Sequence, residues 1–371
     1  MLNARSNQFL SGNAERRARL HALIGACAGR RVLVIGDLIA DEFIYGEVAR
    51  VSREAPVLIL KYDATEVVPG GAGNAANNVA ALGARALVAG MVGADVEGRR
   101  LLSAFARGVD TRQIVRAKQY RTPVKTRILA GGIHSSKQQV VRIDRETDWP
   151  LSDAVSEAFA KKLTTALADC DAVLLSDYGS GLVTPELAAS IRALLDKRSS
   201  TRAVPIVVDS RYRLLDYTGL TACTPNQSEL EAALGVHIDD DLDRLERAGR
   251  TLLRKTGMKA VLVTRGSRGM ALFEPKQPTV HVPIVGSDEV ADVTGAGDTV
   301  IATMTTALAA GASFTEATTL ANYAGGLVVM KRGTATVSAR ELATAVDRDY
   351  DTHTGSLSTS GDRVATRPRS S

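Results

Sequence analysis

The sequence predicts an α/β protein: a central, mostly parallel sheet flanked by helices. Two observations predict it. Beyond residue 150, short β-branched runs alternate with helical apolar periods, as where Ala172 to Leu175 precedes 185–197. The runs are apolar on consecutive residues, the mark of strands buried on both faces. A third observation interrupts the pattern, because residues 43–68 and 119–143 are strand-like without a helical period. They predict a small antiparallel sheet inserted as a lid.

Residues 1–13 are polar and expected to be loose, and 14–29 place Leu20, Leu23 and Ile24 on one helical face. Together 1–29 form an N-terminal extension and helix. Arg31 to Ile35 is a buried first strand closed by Gly36-Asp37. Phe43 to Tyr45, Val57 to Tyr62 and Val67-Val68 make the first lid segment. Pro69-Gly70-Gly71-Ala72-Gly73-Asn74 leads into a small-residue helix and a strand over Ala86 to Met91. Val124 to Leu129, a turn at Gly131-Gly132, and Gln138 to Ile143 make the second. Helices then follow over 153–168, 185–197, 227–234 and 241–256, with strands at 172–175, 206–209, 220–223, 260–264, 269–273 and 279–282. A Gly-Ala-Gly helix, 315–330 and 338–346 close the main unit, 30–346, and the Ser/Thr/Gly/Arg-rich tail 347–371 is expected to be disordered.

The net charge of +5 sits largely in terminal arginines, and no basic–aromatic stripe accompanies it. That excludes nucleic acid and suits solvated tails and an anionic substrate. Cys27, Cys170 and Cys223 share no metal-like spacing, and the five histidines are dispersed. No stretch approaches the ~20 apolar residues of a membrane span, and no apolar signal core opens the chain. A cytoplasmic protein with no membrane partner is expected.

Asp292-Val293-Thr294-Gly295-Ala296-Gly297-Asp298 precedes an apolar helical period. A helix start with two glycines suits an anion. Asp298 beside it is either an N-cap or a base that takes a proton from a nucleophile. The Gly70 to Asn74 stretch is either a tight turn or a polar pocket wall; it fits neither a Walker loop nor a dinucleotide fingerprint. Asp37, Asp41, Asp177 and Asp209 recur at strand ends, where they form turns singly or a hydroxyl-binding site together. Asn226 and Glu229, three apart, form a capping box or hold waters around Mg²⁺. Arg121, Lys125, Arg127, Lys137, Arg142 and Arg145 are a solvated sheet face or a cationic lid favouring a phosphorylated sugar.

Three stretches, Gly70 to Asn74, Asn226 to Glu229 and Asp292 to Asp298, resemble the signatures of the ribokinase-like (PfkB) sugar kinases, over about 30–346. The resemblance implies ATP and Mg²⁺ as cofactors and Asp298 as catalytic base, with Gly295, Ala296 and Gly297 as an anion hole. It implies a nucleotide site at Asn226, Glu229, Thr264, Gly266, Gly297 and Asn322, with Asn226 and Glu229 reaching Mg²⁺ through water. It further implies a monovalent cation, K⁺, near Asp292, Thr294 and Gly333.

Gly36 to Asp41, Arg50 to Val57, Gln138 to Asp144 and Leu175 to Gly179 are similar to one branch of that family, the heptose-7-phosphate kinases of lipopolysaccharide core synthesis. That branch phosphorylates D-glycero-β-D-manno-heptose 7-phosphate at O1 for ADP-heptose. The likeness implies substrate contacts at Asp37, Asp41, Gly70, Gly71, Asn74, Lys125, Arg127, Gln138, Arg142 and Asp177, and a homodimer through the lid. Ser180 departs from the branch, which would carry Lys there. The HxGH motif of the fused nucleotidyltransferase is absent, so a stand-alone kinase is expected. Another sugar or sugar-phosphate kinase, or a non-catalytic sugar-binding regulator, are the competing readings.

Overall fold

The computed structural model describes residues 2–131, 137–147, 153–198, 203–285, 292–331 and 333–358, with backbone alone over 2–13, at 153 and over 352–358. Helix α1 (Leu2–Ala26) leads to strand β1 (Arg31–Gly36) and the lid strands β2 (Leu38–Val51) and β3 (Leu58–Gly71). Helix α2 (Ala72–Ala81), strands β4 (Arg85–Ala89) and β5 (Met91–Gly93) and helix α3 (Val96–Ser103) follow. Short strands β6 (Val109–Asp110) and β7 (Val115–Ala117) precede the other lid strands, β8 (Val124–Gly131) and β9 (Gln138–Arg145). Regular alternation then runs through α4 (Asp153–Leu167), β10 (Ala172–Asp177), α5 (Pro185–Asp196), β11 (Ile206–Ser210) and β12 (Ala222–Cys223). It continues with α6 (Gln227–Leu234), α7 (Leu242–Thr256), β13 (Ala260–Thr264), β14 (Met270–Phe273) and β15 (Val280–Val282). Helices α8 (Ala296–Ala310), α9 (Phe314–Val328) and α10 (Ala339–Ser358) close the chain.

Among the described residues the large sheet has the order β15-β14-β13-β12-β11-β10-β1-β4-β6. Pairing from β6 to β13 is parallel, and β14 and β15 add an antiparallel edge. Consecutive residues of β1 point to opposite faces. Val32 and Val34 join a core with Leu20, Val79, Ile301 and Leu320, whereas Leu33 and Ile35 join one with Phe159, Ile191, Leu230 and Leu252. Both faces are therefore covered by helices, which is why the strands read as unbroken apolar runs.

The chain builds outward from β1 to β4 and β6, then crosses to β10 and builds the other way. Between β1 and β10 the order reverses, and the carboxyl ends of such strands border a crevice. Asp37, Asp177 and Asp209 fall at those ends. The lid is a separate four-stranded sheet, β3-β2-β8-β9. Its outer pairs are antiparallel, as the sequence leads one to expect, and a parallel β2–β8 pairing joins them. Because β2 starts at Leu38 and β3 ends at Gly71, the lid is rooted at the crevice.

Three differences from the expected elements have local causes. Helix α1 begins at Leu2 rather than 14, since no proline interrupts the run. Helix α10 continues to Ser358 through the start of the expected disordered tail; Tyr350 still packs on the core, and Arg17 and His21 of α1 both bond Asp347 at 2.8 Å. Helix α3, unanticipated, is started by Asp95, whose side chain accepts from Gly98 N at 2.7 Å. Gly132 of the expected lid turn and 359–371 lie outside the described residues. Among the described residues, no helix is long and apolar enough to cross a membrane.

Candidate active site

Helix α8 opens on Gly295, which adopts the left-handed conformation at φ 77° and supplies no side-chain cap. Asp298 is therefore not the N-cap. It lies in the first turn, 3% exposed, with its side chain lining the crevice. Asn74 Nδ2 donates to its Oδ2 at 2.9 Å, and the Tyr178 hydroxyl donates to its Oδ1 at 3.0 Å. Burial pushes the Asp298 carboxyl up to about 7; the Asn74 and Tyr178 hydrogen bonds oppose the shift, Asp41 adds to it and Lys125 opposes it. A carboxylate poised there suits proton acceptance near neutral pH.

The glycines around it have separate jobs. A side chain on Gly295 would collide with the Asn74 amide, and one on Gly70 with the Asp41 carboxylate. At Gly297 the nearest protein atom to an added Cβ is Asp209 Oδ2 at 3.9 Å, so the space in front of it is open. Of the residues expected to form the anion hole, Gly295, Ala296 and Gly297, Ala296 has its N–H engaged within the chain, donating to the Val293 carbonyl at 3.2 Å. The N–H groups of Gly297 and Asp298 remain, as first-turn donors without intrahelical acceptors.

The crevice is a cavity of about 340 Å³ roofed by the lid. Arg127 Nη1 and Asp41 Oδ1 form a buried ion pair at 2.6 Å. Such a pair fixes geometry more than it adds stability. Lys125 Nζ sits 4.8 Å from the centroid of the Tyr178 ring, and the Arg211 guanidinium 5.9 Å from it. Burial and then Arg211 push the Lys125 ammonium below its usual range. Arg142 also lines the cavity, paired with Asp144. Gly71 and Asp177 line it too, but the Asp177 carboxylate accepts from Ser210 Oγ at 2.8 Å and the Tyr217 hydroxyl at 2.7 Å.

On the opposite wall lie Asp209, Thr224, Asn226, Glu229 and Thr264. The Asn226–Glu229 pair forms the capping box. Glu229 N donates to Asn226 Oδ1 and Asn226 N to Glu229 Oε2, each at 2.9 Å, while both residues face the cavity. Burial pushes the Asp209 carboxyl well up, and Glu229 and Asp298 push it further; burial also raises Glu229. Thr224 Oγ1 is buried without a hydrogen-bond partner among the described residues. Crowded carboxylates and an unpaired hydroxyl fit a hydrated divalent cation, whose charge would relieve them. Among the described residues no three His, Cys, Asp or Glu side chains cluster as a metal site.

Other expected residues sit elsewhere. Asp37 is 1% exposed, and its carboxylate accepts from Tyr178 N at 2.8 Å, from Ser180 N at 3.3 Å and from the Ser180 hydroxyl. It braces the turn after β10 rather than lining the cavity, and Ser180 serves the same brace. Gln138 lines a neighbouring cavity of about 530 Å³ with Asp292, Thr294 and Gly333, sharing only Arg127 and Thr294 with the first. There Asp292 accepts from Thr294 N at 2.9 Å and Gly333 N at 3.0 Å, so the residues implied for a monovalent cation already fasten the loop before α8. Gly266 and Asn322 do not line the first cavity; Asn322 Nδ2 donates to the Pro283 carbonyl at 2.8 Å. Sequence reasoning missed Tyr178, Arg211 and Thr224 as site residues and left Asp209 as one strand-end acid among several. Only the acids' recurrence at strand ends signalled any of them.

The sequence profile of the pfkB family carbohydrate kinase matches residues 30–341. Among curated relatives, the bifunctional protein HldE of Trichlorobacter lovleyi is 40% identical over 336 residues, covering 90% of this chain and 66% of its own length. That of Geobacter metallireducens is 42% identical over 330 residues, covering 88% and 65%. The chain thus spans just under two thirds of these relatives. Among solved structures, Arabidopsis thaliana ribokinase complexed with ribose and ATP superposes with a TM-score of 0.66 at 20% identity, over 86% of this chain and 99% of that one. Escherichia coli phosphofructokinase-2 in complex with potassium gives 0.67 at 20% identity, over the same 86% and 99%. These two likenesses show the ribokinase-like fold. With the profile matched across most of the chain and 40% identity to its relatives, the protein belongs to the pfkB family of carbohydrate kinases.

Proposed function

We propose that the chain transfers the γ-phosphoryl group of ATP to O1 of D-glycero-β-D-manno-heptose 7-phosphate, a cytoplasmic step toward the ADP-heptose of lipopolysaccharide core. The observation that carries the reading is the buried Asp298 carboxylate lining one small cavity together with the Lys125, Arg142 and Arg211 cations. A base and the cations Lys125, Arg142 and Arg211 in the lining of one cavity suit an acceptor that carries both a reacting hydroxyl and a phosphate. Asp41 and Gly71 would meet the sugar hydroxyls. Asp298 would take the O1 proton while the Gly297 and Asp298 N–H groups and the start of α8 hold the transferring phosphoryl oxygens. Asp209, Asn226 and Glu229 would stand toward the ATP phosphates, with the adenine beyond Thr264. Mg²⁺ bound there through water would neutralise charge on those phosphates.

The test is ADP release from purified protein given ATP and heptose 7-phosphate, fructose 1-phosphate or ribose. Loss of the charge-assisted phosphate contacts should lower kcat/KM for ribose by about 10–100-fold against the heptose phosphate. Fast turnover of ribose with none of the heptose phosphate would overturn the substrate assignment.

We also infer a homodimer through the lid. The lid exposes Val48, Val51, Leu58 and Tyr62 on β2 and β3, and Val140, Val141 and Ile143 on β9, apolar surface that a second copy would cover. Light scattering should give twice the monomer mass of 39.2 kDa, and a monomer at micromolar concentration would contradict it.

A further inference from the structure

We propose that Tyr178 is a positioning residue that ties the base to the acceptor's anionic end, its hydroxyl holding the Asp298 carboxylate and its ring holding the Lys125 and Arg211 cations. Three observations meet on this one side chain. Its hydroxyl donates to Asp298 Oδ1 at 3.0 Å, which fixes the carboxylate opposite the Asn74 bond to Oδ2. Its ring carries Lys125 Nζ at 4.8 Å and the Arg211 guanidinium at 5.9 Å, within cation–π range of one face or the other. Its backbone N–H is anchored at 2.8 Å on Asp37, so the residue is held at both ends.

The consequence is a mechanical link across the cavity. Two like charges gathered on one aromatic ring repel each other, and an anion that both reach relieves that repulsion. An acceptor phosphate reaching Lys125 and Arg211 therefore settles the ring, and the ring settles the base. Phosphorylated acceptors gain in turnover as well as in affinity. This second half rests on the phosphorylated-sugar reading above; the hydroxyl's hold on Asp298 does not.

The titratable groups facing Asp298 are Asp41 from β2, Lys125 from β8, Tyr178 after β10 and Asp209 from β11. Of these, the Tyr178 bond and the Lys125 charge favour the ionised carboxylate. Removal of the Tyr178 bond should move the rising limb of the kcat/KM–pH profile to higher pH. In Tyr178→Phe the limb is expected to shift upward and kcat at neutral pH to fall about tenfold, with KM for the sugar phosphate unchanged. In Tyr178→Leu, KM for the sugar phosphate should rise about tenfold as well, while KM for the same sugar without its phosphate stays as in the wild type. Lys125→Met gives the KM arm independently if the leucine variant fails to fold.

An unmoved limb in Tyr178→Phe overturns the link to the base. An unchanged sugar-phosphate KM in both Tyr178→Leu and Lys125→Met overturns the link to the anion. If the wild type prefers unphosphorylated sugars, the substrate reading fails instead, and the limb is still read with whichever sugar turns over.

Discussion

Replacing Asp298 by asparagine is expected to lower kcat by about 10²–10⁴, the range lost with a general base. The change keeps the shape of the side chain. An asparagine can present its oxygen to Asn74 and donate its amide to the Tyr178 hydroxyl, so both neighbours stay paired. What disappears is the proton acceptor. Steady-state turnover with ATP and the sugar phosphate checks the rate, and calorimetry with ATP alone should show unaltered affinity. Stability moves the other way. A carboxyl raised from 3.8 to about 7 contributes fully to folding below its unfolded pKa. That contribution falls as pH rises toward 7, by up to ~4 kcal/mol at ~1.36 kcal/mol per unit. Asparagine avoids this penalty, so the variant should melt above the wild type at pH 7 and level with it near pH 4. A variant that loses activity and also melts lower at pH 7 would show that Asp298 holds the fold instead.

The two glycines at the start of α8 should respond to alanine in opposite ways. Gly297 lies in the first turn with 3.9 Å to the nearest protein atom from an added Cβ. Alanine there suits a helix better than glycine by about 1 kcal/mol, so Gly297→Ala should melt at or above the wild type. Its methyl would nonetheless stand where the phosphoryl oxygens approach the helix N–H groups, and kcat should fall about 10²-fold. At Gly295, φ of 77° disfavours any side chain, by about 1–2 kcal/mol. An added Cβ also displaces the Asn74 amide that steadies Asp298. Gly295→Ala should therefore lose stability and turnover together. Thermal melts beside steady-state rates separate the cases. Equal melting losses at both positions would remove the argument that the space before Gly297 is kept for a ligand.

Much of this site is legible in the sequence because its parts are local. The Gly295–Asp298 run, the Asn226–Glu229 spacing and the Gly70–Asn74 turn each fix their own backbone within a few residues. The parallel sheet is legible for a similar reason, since strands buried on both faces must be apolar throughout. Tyr178 and Arg211 are not legible, because their roles arise only when the ends of β10 and β11 meet under the lid. Asp37 misleads for the converse reason. A strand-end acid looks free for a ligand in sequence, yet its oxygens are filled by the turn at Tyr178 and Ser180. Ala296 misleads by one residue of helix phase, its N–H turned back onto Val293. Gln138 sits on the far side of the lid root because β9 pairs antiparallel to β8 and starts at the lid's distal end. No local pattern marks where α10 stops; the packing of Tyr350 and the bonds from α1 carry it onward.

The most direct test of Asp298 as the base is the pH dependence of kcat/KM with ATP and the sugar phosphate. The wild type should show one rising limb with its midpoint near the carboxyl's value of about 7, because only the ionised form accepts the acceptor's proton. Asp298→Asn should show a low rate with that limb gone. A limb near the ordinary carboxylate range, or one that survives in Asp298→Asn, would contradict the account.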